Sequence, residues 1–236
     1  EKFLDAAADL VSSYIDVAGL RNLLAAAGPR PGGVPPEPVP RIGTRIAVAS
    51  DEAFQFHYRH VLDGWSATDA ELVPFSPLAD EAPDGSADAV YLPGGYPELH
   101  AGTLAAAEKF LRGLKSAAGR GAAVYGECGG FMVLGDTLTD SDGCVHTMAE
   151  LLPLETSFAD RKLHLGYRDA KLIVNTPLGI AGTMYGAHEF HYASIVTEGD
   201  AEHLFRVTDA TGFDLGPQGL RRGNVMGSFI HLIDQR

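Results

Sequence analysis

Cys128 lies in Val124-Tyr125-Gly126-Glu127-Cys128-Gly129-Gly130-Phe131, an apolar run ending in Gly-x-Cys-x-Gly. A strand entering such a turn and leaving as a helix over 131–134 is the layout of a nucleophile elbow, with cysteine where hydrolases carry serine. The flanking glycines permit a tight turn and keep space clear around the sulfur. A helix N-terminus and a nearby cation favour the thiolate, the attacking form of cysteine. These residues suit covalent attack on a carbonyl, which needs two partners: a base and a set of donors for the oxyanion.

Tyr91-Leu92-Pro93-Gly94-Gly95-Tyr96-Pro97-Glu98 ends a second apolar run. Gly94 and Gly95 can expose backbone N–H groups there, pairing with the N–H of Gly129 as an oxyanion hole. For the base, the C-terminal Gly227-Ser228-Phe229-Ile230-His231-Leu232-Ile233-Asp234 puts His231 behind a strand-like segment, a place suited to a rigidly held base, but the pattern alone does not separate it from the other eight histidines. Ser228 and Phe229 in the same motif are expected beside the substrate. His188-Glu189-Phe190-His191-Tyr192 has a His-x-x-His spacing. Strand alternation puts its two histidines on opposite faces and no third ligand is evident, so no metal is expected. Arg161-Lys162-Leu163-His164-Leu165-Gly166-Tyr167-Arg168 is a basic island in an acidic chain, suited to an anionic substrate, a partner domain or solvent alike. Glu98, Glu189, His188, Arg161, Lys162 and Arg168 are therefore carried forward as orienting or partner-facing candidates.

The surrounding pattern is that of an α/β protein. Apolar runs at 46–49, 71–75, 89–92 and 122–125 alternate with helical patterns at 53–62 and 103–118. This predicts a mostly parallel, flavodoxin-like sheet with helices on both faces. Ligands of such sheets bind beyond the carboxyl ends of the strands, where both glycine-rich motifs fall. From 135 onward, short β-rich segments at 163–167, 172–174, 183–185, 188–196 and 205–207 predict an antiparallel extension of that sheet. Ahead of it, 1–27 reads as a helical tail and 28–43 as a Pro/Gly-rich linker, leaving 44–236 as the main domain. The start at Glu1 fits a fragment of a longer chain. A net charge of −13 over 236 residues argues against a nucleic-acid partner. No apolar run is long enough for a membrane span and the first residues lack a signal-peptide layout, so a cytoplasmic location is expected. Cys128 and Cys144 are the two cysteines, and neither sits in a Cys-x-x-Cys pair.

Taken in order, these motifs resemble the C-terminal amidotransferase half of the a,c-diamide synthases of corrinoid biosynthesis. The likeness runs from Ile46 to Asp234 and also takes in Phe75-Ser76-Pro77-Leu78 and Gly186-Ala187-His188. The resemblance implies a class I amidotransferase-like fold in which Cys128 attacks glutamine, His231 raises its reactivity, and amides near Gly95 and Gly129 hold the oxyanion. It also implies a synthetase half that uses ATP and magnesium to activate two acetate side chains of cobyrinic or hydrogenobyrinic acid for amidation by the released ammonia. The expected partners are glutamine, that tetrapyrrole acid through the other half, and a second copy of the full-length enzyme. No cofactor is expected in this domain, and no phosphate-binding Gly-x-x-x-x-Gly-Lys-Ser/Thr loop occurs in the chain. Better-known class I amidotransferases carry a glutamate two residues after the histidine. Ile233 stands there, so a Cys–His dyad with an unidentified orienting group is expected. Related readings are a sirohydrochlorin diamide synthase, a cobyric acid synthase, or a docking module inert in isolation.

Overall fold

Strand alternation divides the sheet into two apolar faces, and the computed structural model, which describes residues 2–26 and 36–236, places a separate core on each. The chain separates into two units, 1–35 and 36–236. In the first, α1 (Lys2–Tyr14) and α2 (Val17–Ala26) are joined at Asp16, whose carboxylate accepts from the N–H of Gly19. Phe3, Leu4, Leu10, Tyr14 and Leu23 of these helices are exposed. Residues 27–35 of the expected tail and linker lie outside the described residues. From 36 onward the Pro-rich stretch is part of the second unit. Glu37 exchanges two backbone hydrogen bonds with Gln235, and the Trp65 indole N–H donates to the carbonyls of Val39 and Pro40.

The second unit begins with β1 (Arg45–Ala49), α3 (Arg59–Ala67), β2 (Glu71–Phe75) and β3 (Ala89–Leu92). It continues with α4 (Ala101–Ala106), α5 (Glu108–Gly119), β4 (Ala123–Glu127) and α6 (Gly129–Leu134). Three short strands follow: β5 (Thr137–Thr139), β6 (Val145–Thr147) and β7 (Leu154–Ser157). The rest is β-structure: β8 (His164–Leu172), β9 (Met184–His191), β10 (Ser194–Glu198), β11 (Glu202–Asp209), β12 (Asp214–Arg222), β13 (Val225–Ser228) and β14 (Ile230–Gln235).

Ten strands form one mixed sheet in the order β14-β9-β8-β11-β12-β13-β4-β3-β1-β2. The block β2-β1-β3-β4-β13 is parallel, as the alternating pattern required. The antiparallel extension is the run β12-β11-β8-β9-β14. A second sheet, β10-β7-β5-β6, packs Leu138 and Leu154 into the same core as α4, α5 and α6. Ala47, Val90, Leu92 and Val124 face that core, while Ile46, Ala89, Tyr91 and Tyr125 face the other beneath Trp65 of α3. Strands buried on both faces read as continuous apolar runs, which is why β1, β3 and β4 were visible in the sequence.

Two helix expectations need correction. The helix expected over 53–62 starts only at Arg59. Residues before it are held by the Pro-Gly-Gly turn: Phe56 N–H donates to the Gly94 carbonyl and Tyr96 N–H to that of Ala53. Backbone groups used in that way cannot close helical turns. The helix expected over 103–118 is two, broken at Ala107, where ψ is 75°. Asp80 drives the break, because its carboxylate accepts from the N–H groups of Lys109 and Phe110 and so caps the start of α5.

The turn out of β4 is close-packed. A side chain at Gly130 would collide with the Leu92 carbonyl, so backbone approaches backbone there. Gly130→Ala is expected to lower the stability of the domain by about 1–3 kcal/mol, read from the urea midpoint at unchanged m-value. An unchanged midpoint would show that the turn can open without cost.

Candidate active site

Cys128 occupies a backbone conformation that L-residues rarely adopt, with φ 47° and ψ −102° between the end of β4 and the start of α6. Such strain survives only where surrounding contacts over-determine it. Here the Cys128 N–H donates to the Ser228 carbonyl at 2.8 Å, and the Gly130 N–H donates to the Pro93 carbonyl at 3.1 Å. The elbow is thereby fastened to β13 on one side and to the Pro-Gly-Gly turn on the other. Its sulfur opens into a cavity of about 300 Å³ lined by Phe56, Glu98, Met132, Phe158, His191 and His231, among others.

His231 is brought to this sulfur by β14, across the sheet edge from β9, where it pairs with His188. The ring is buried, stacked on His188 at 4.7 Å and met edge-on by Phe56 at 5.0 Å. It lines the same cavity as Cys128, and its Nδ1 lies 3.7 Å from a carboxylate oxygen of Glu127, an ion-pair distance longer than a hydrogen bond. Burial works against a charged ring, but Cys128 and Glu127 outweigh it and raise the His231 pKa to about 9. His188 goes the other way: desolvation and the neighbouring His231 lower its pKa, so the positive charge is held on His231.

Glu127 is the residue that sequence reasoning did not single out. It ends β4, and alternation puts its side chain on the same face as Tyr125. The hydroxyls of Tyr91 and Tyr125 donate to its two oxygens at 2.9 and 2.8 Å, and the Leu232 N–H donates at 3.2 Å. Burial and the adjacent carboxylate push both tyrosine pKa values well above normal, so both remain hydroxyl donors. The signal in the sequence was a glutamate inside a fully buried apolar strand, which demands partners.

The oxyanion candidates also converge. A side chain at Gly129 would come within 3.0 Å of the Gly95 nitrogen, so these two backbones are in close approach. Among the described residues, neither the Gly95 nor the Gly129 N–H has an acceptor. Gly94 lies against the ring of His231. Ser228 and Phe229 do not line the cavity over Cys128. Ser228 is fully buried behind the elbow, where its Oγ accepts from Ile230 N–H, and Phe229 packs between Phe131 and His191.

The remaining candidates separate. Glu98 lines the cavity, whereas Arg161 and Lys162 are exposed. Arg168 and Glu189 form a nearly buried pair at 2.8 Å, and the other oxygen of Glu189 meets His191 at 2.8 Å. Together with His164, Glu189 and His191 bring ligand-type atoms within 4.8 Å of one another. Arg168 already supplies the positive charge to that carboxylate, so the group reads as a satisfied polar network. It braces β8 against β9 beside the site.

A buried cysteine at a strained elbow, with a charged histidine and unengaged N–H donors, is equipped for acyl transfer through a thioester. The fold agrees with that chemistry. The chain is similar to the structure of PurLQS from Thermotoga maritima, with a TM-score of 0.54 and 21% identity over 80% of this chain and 87% of that one. A glutamine amidotransferase from the same organism gives 0.52 and 14% identity over 80% and 76% of the two chains. These likenesses define a glutamine amidotransferase fold. Residues 45–236 match the CobB/CobQ-like glutamine amidotransferase domain, and the chain belongs to that family. Its relatives include proteins named hydrogenobyrinate a,c-diamide synthase. That of Sinorhizobium is 55% identical over 235 residues, that of Rhizobium meliloti 56% over 237, and that of Rhodobacter capsulatus 49% over 237. Each match takes in 99% of this chain, which spans about half the length of these relatives, 52–53%.

Proposed function

We propose that this domain is the glutaminase half of an ATP-dependent a,c-diamide synthase, with Cys128 as nucleophile, His231 as acid–base and Glu127 as the carboxylate behind it. The observation that carries the reading is the meeting of Cys128, at the strained elbow, and His231 on the wall of one cavity, with the Glu127 carboxylate beside the imidazole. The Cys128 thiolate attacks the side-chain carbonyl carbon of glutamine, and the resulting oxyanion is held by the N–H groups of Gly95 and Gly129. The His231 imidazolium gives its proton to the leaving nitrogen, and ammonia departs from a glutamyl thioester. Water then attacks the thioester, His231 takes up the proton, and glutamate leaves with the thiolate restored.

The names of relatives 49–56% identical to the chain support hydrogenobyrinic or cobyrinic acid as the tetrapyrrole that receives the ammonia in the longer protein. ATP and magnesium belong to the synthetase half in this reading, and a second copy of the full-length enzyme completes its assembly. No described helix is long and apolar enough to cross a membrane.

The pH profile tests the charge arrangement. The active form pairs the thiolate with the imidazolium, so kcat/KM for glutamine is expected to fall as pH rises through about 9, where His231 loses its proton. Glu127→Gln keeps the shape of the side chain but removes the charge that helps hold that proton, so the fall should move to lower pH. An alkaline limb unmoved by Glu127→Gln would separate Glu127 from the chemistry of His231.

A further inference from the structure

Glu98 sits in a 3-10 turn, Pro97–Leu99, that follows the Pro-Gly-Gly segment, on the wall of the same cavity as Cys128 but outside the acid–base machinery. Its side chain borders two spaces. One is the cavity over the sulfur. The other is a neighbouring hollow lined by Ser141, Phe158 and Arg161. One carboxylate oxygen, Oε2, is fully buried without a hydrogen-bond partner. A desolvated carboxylate oxygen without a donor costs free energy unless a ligand supplies one. Among the described residues that line the cavity over Cys128, Glu98 is the one carboxylate; most of the others are aromatic or apolar, such as Phe56, Met132, Phe158 and Phe190.

Burial pushes the Glu98 pKa up, against the pull of its own backbone N–H and of the Arg161 guanidinium. An apolar chamber with one anionic acceptor on its wall and a sulfur nucleophile at its base selects a ligand with three features. It carries an amide carbonyl for the sulfur, a short aliphatic spacer for the apolar wall, and a cationic donor for the carboxylate. An α-amino acid with a side-chain amide has all three.

We propose that Glu98 is a specificity-determining residue that accepts hydrogen bonds from the α-ammonium group of the amino-acid substrate. The assignment rests on the glutaminase reading and deepens it, because it explains how the site tells an amino acid from any other primary amide. The reacting carbonyl lies at the far end of the substrate from Glu98. Loss of Glu98 therefore weakens capture of glutamine and leaves the chemical step largely intact.

The test compares L-glutamine with 4-carbamoylbutanoate, which keeps the amide, the spacer and the carboxylate but lacks the α-amino group. Both are assayed with full-length wild-type enzyme and with Glu98→Gln. The wild type is expected to prefer glutamine in kcat/KM by roughly 10- to 100-fold, the range for losing one charge-assisted hydrogen bond in a site built for it. In Glu98→Gln that preference should collapse, chiefly through a higher KM for glutamine with kcat largely kept, and an unfolding midpoint close to that of the wild type reports that the variant is folded. An equal loss on both substrates would overturn the assignment, as would a wild-type enzyme that does not distinguish the two. Hydrolysis of neither substrate by the wild type would overturn the glutaminase reading, and this assignment with it.

Discussion

Cys128→Ser and Cys128→Ala are expected to lose glutamine-dependent amidation by roughly 10⁴-fold or more, while amidation driven by added ammonia continues in the full-length enzyme. The serine variant differs by one atom in a site whose backbone is already strained, with φ 47° at that residue. A hydroxyl remains protonated where a thiol ionises, so the serine variant keeps the geometry and loses the nucleophile. The elbow is fastened by the Ser228 and Pro93 carbonyls through backbone bonds, which neither substitution removes. The defect should therefore be chemical, with the unfolding midpoint little changed. Ammonia rescue follows because the site supplies only the nitrogen. Equal loss with both nitrogen donors would show that the two halves do not divide the reaction in this way.

The second large effect is at His231. His231→Asn should lower glutaminase turnover by about 10²–10⁴-fold, the contribution of a positioned acid–base group. Asparagine can occupy much of the space between Phe56 and His188, but it cannot carry the proton that Cys128 and Glu127 hold on the imidazole. Without that proton the nitrogen must leave as an amide anion, a far poorer leaving group than ammonia. Because the whole cost falls on the chemical step, kcat should drop and KM should move much less. Single-turnover measurements of thioester formation give the direct readout. Turnover near that of the wild type would remove His231 from the reaction.

Much of this arrangement was legible in the sequence for a physical reason. The strands β1, β3 and β4 are buried on both faces, so they read as short apolar runs, and the glycines at their carboxyl ends mark the turns that reach the site. Cys128 could be proposed from residue type and local pattern, and His231, one of nine histidines, through the resemblance to a known family. The link between His231 and Glu127 could not, because it depends on pairings between distant segments. β13 lies parallel to β4 with Ser228 opposite Glu127, and β14 returns antiparallel to β9 with His231 opposite His188. Those pairings bring the carboxylate before the nucleophile to the imidazole, while Ile233 holds the position where related enzymes carry a glutamate. β12 escaped notice because Gly216, Pro217 and Gly219 interrupt its alternation. Helix α3 began late because Ala53 and Phe56 bond to the Pro-Gly-Gly turn, a tertiary contact that overrides local propensity.

The most direct test is mass spectrometry of the protein after reaction with a diazoketone analogue of glutamine, since the two cysteines give an internal control. Cys144 is exposed and Cys128 is buried, so reactivity by mere access would favour Cys144. One analogue per chain is expected, attached to Cys128, with labelling slowed by added glutamine and absent in Cys128→Ala. Label on Cys144, or label on Cys128 that glutamine does not slow, would contradict a glutamine-hydrolysing site at this elbow.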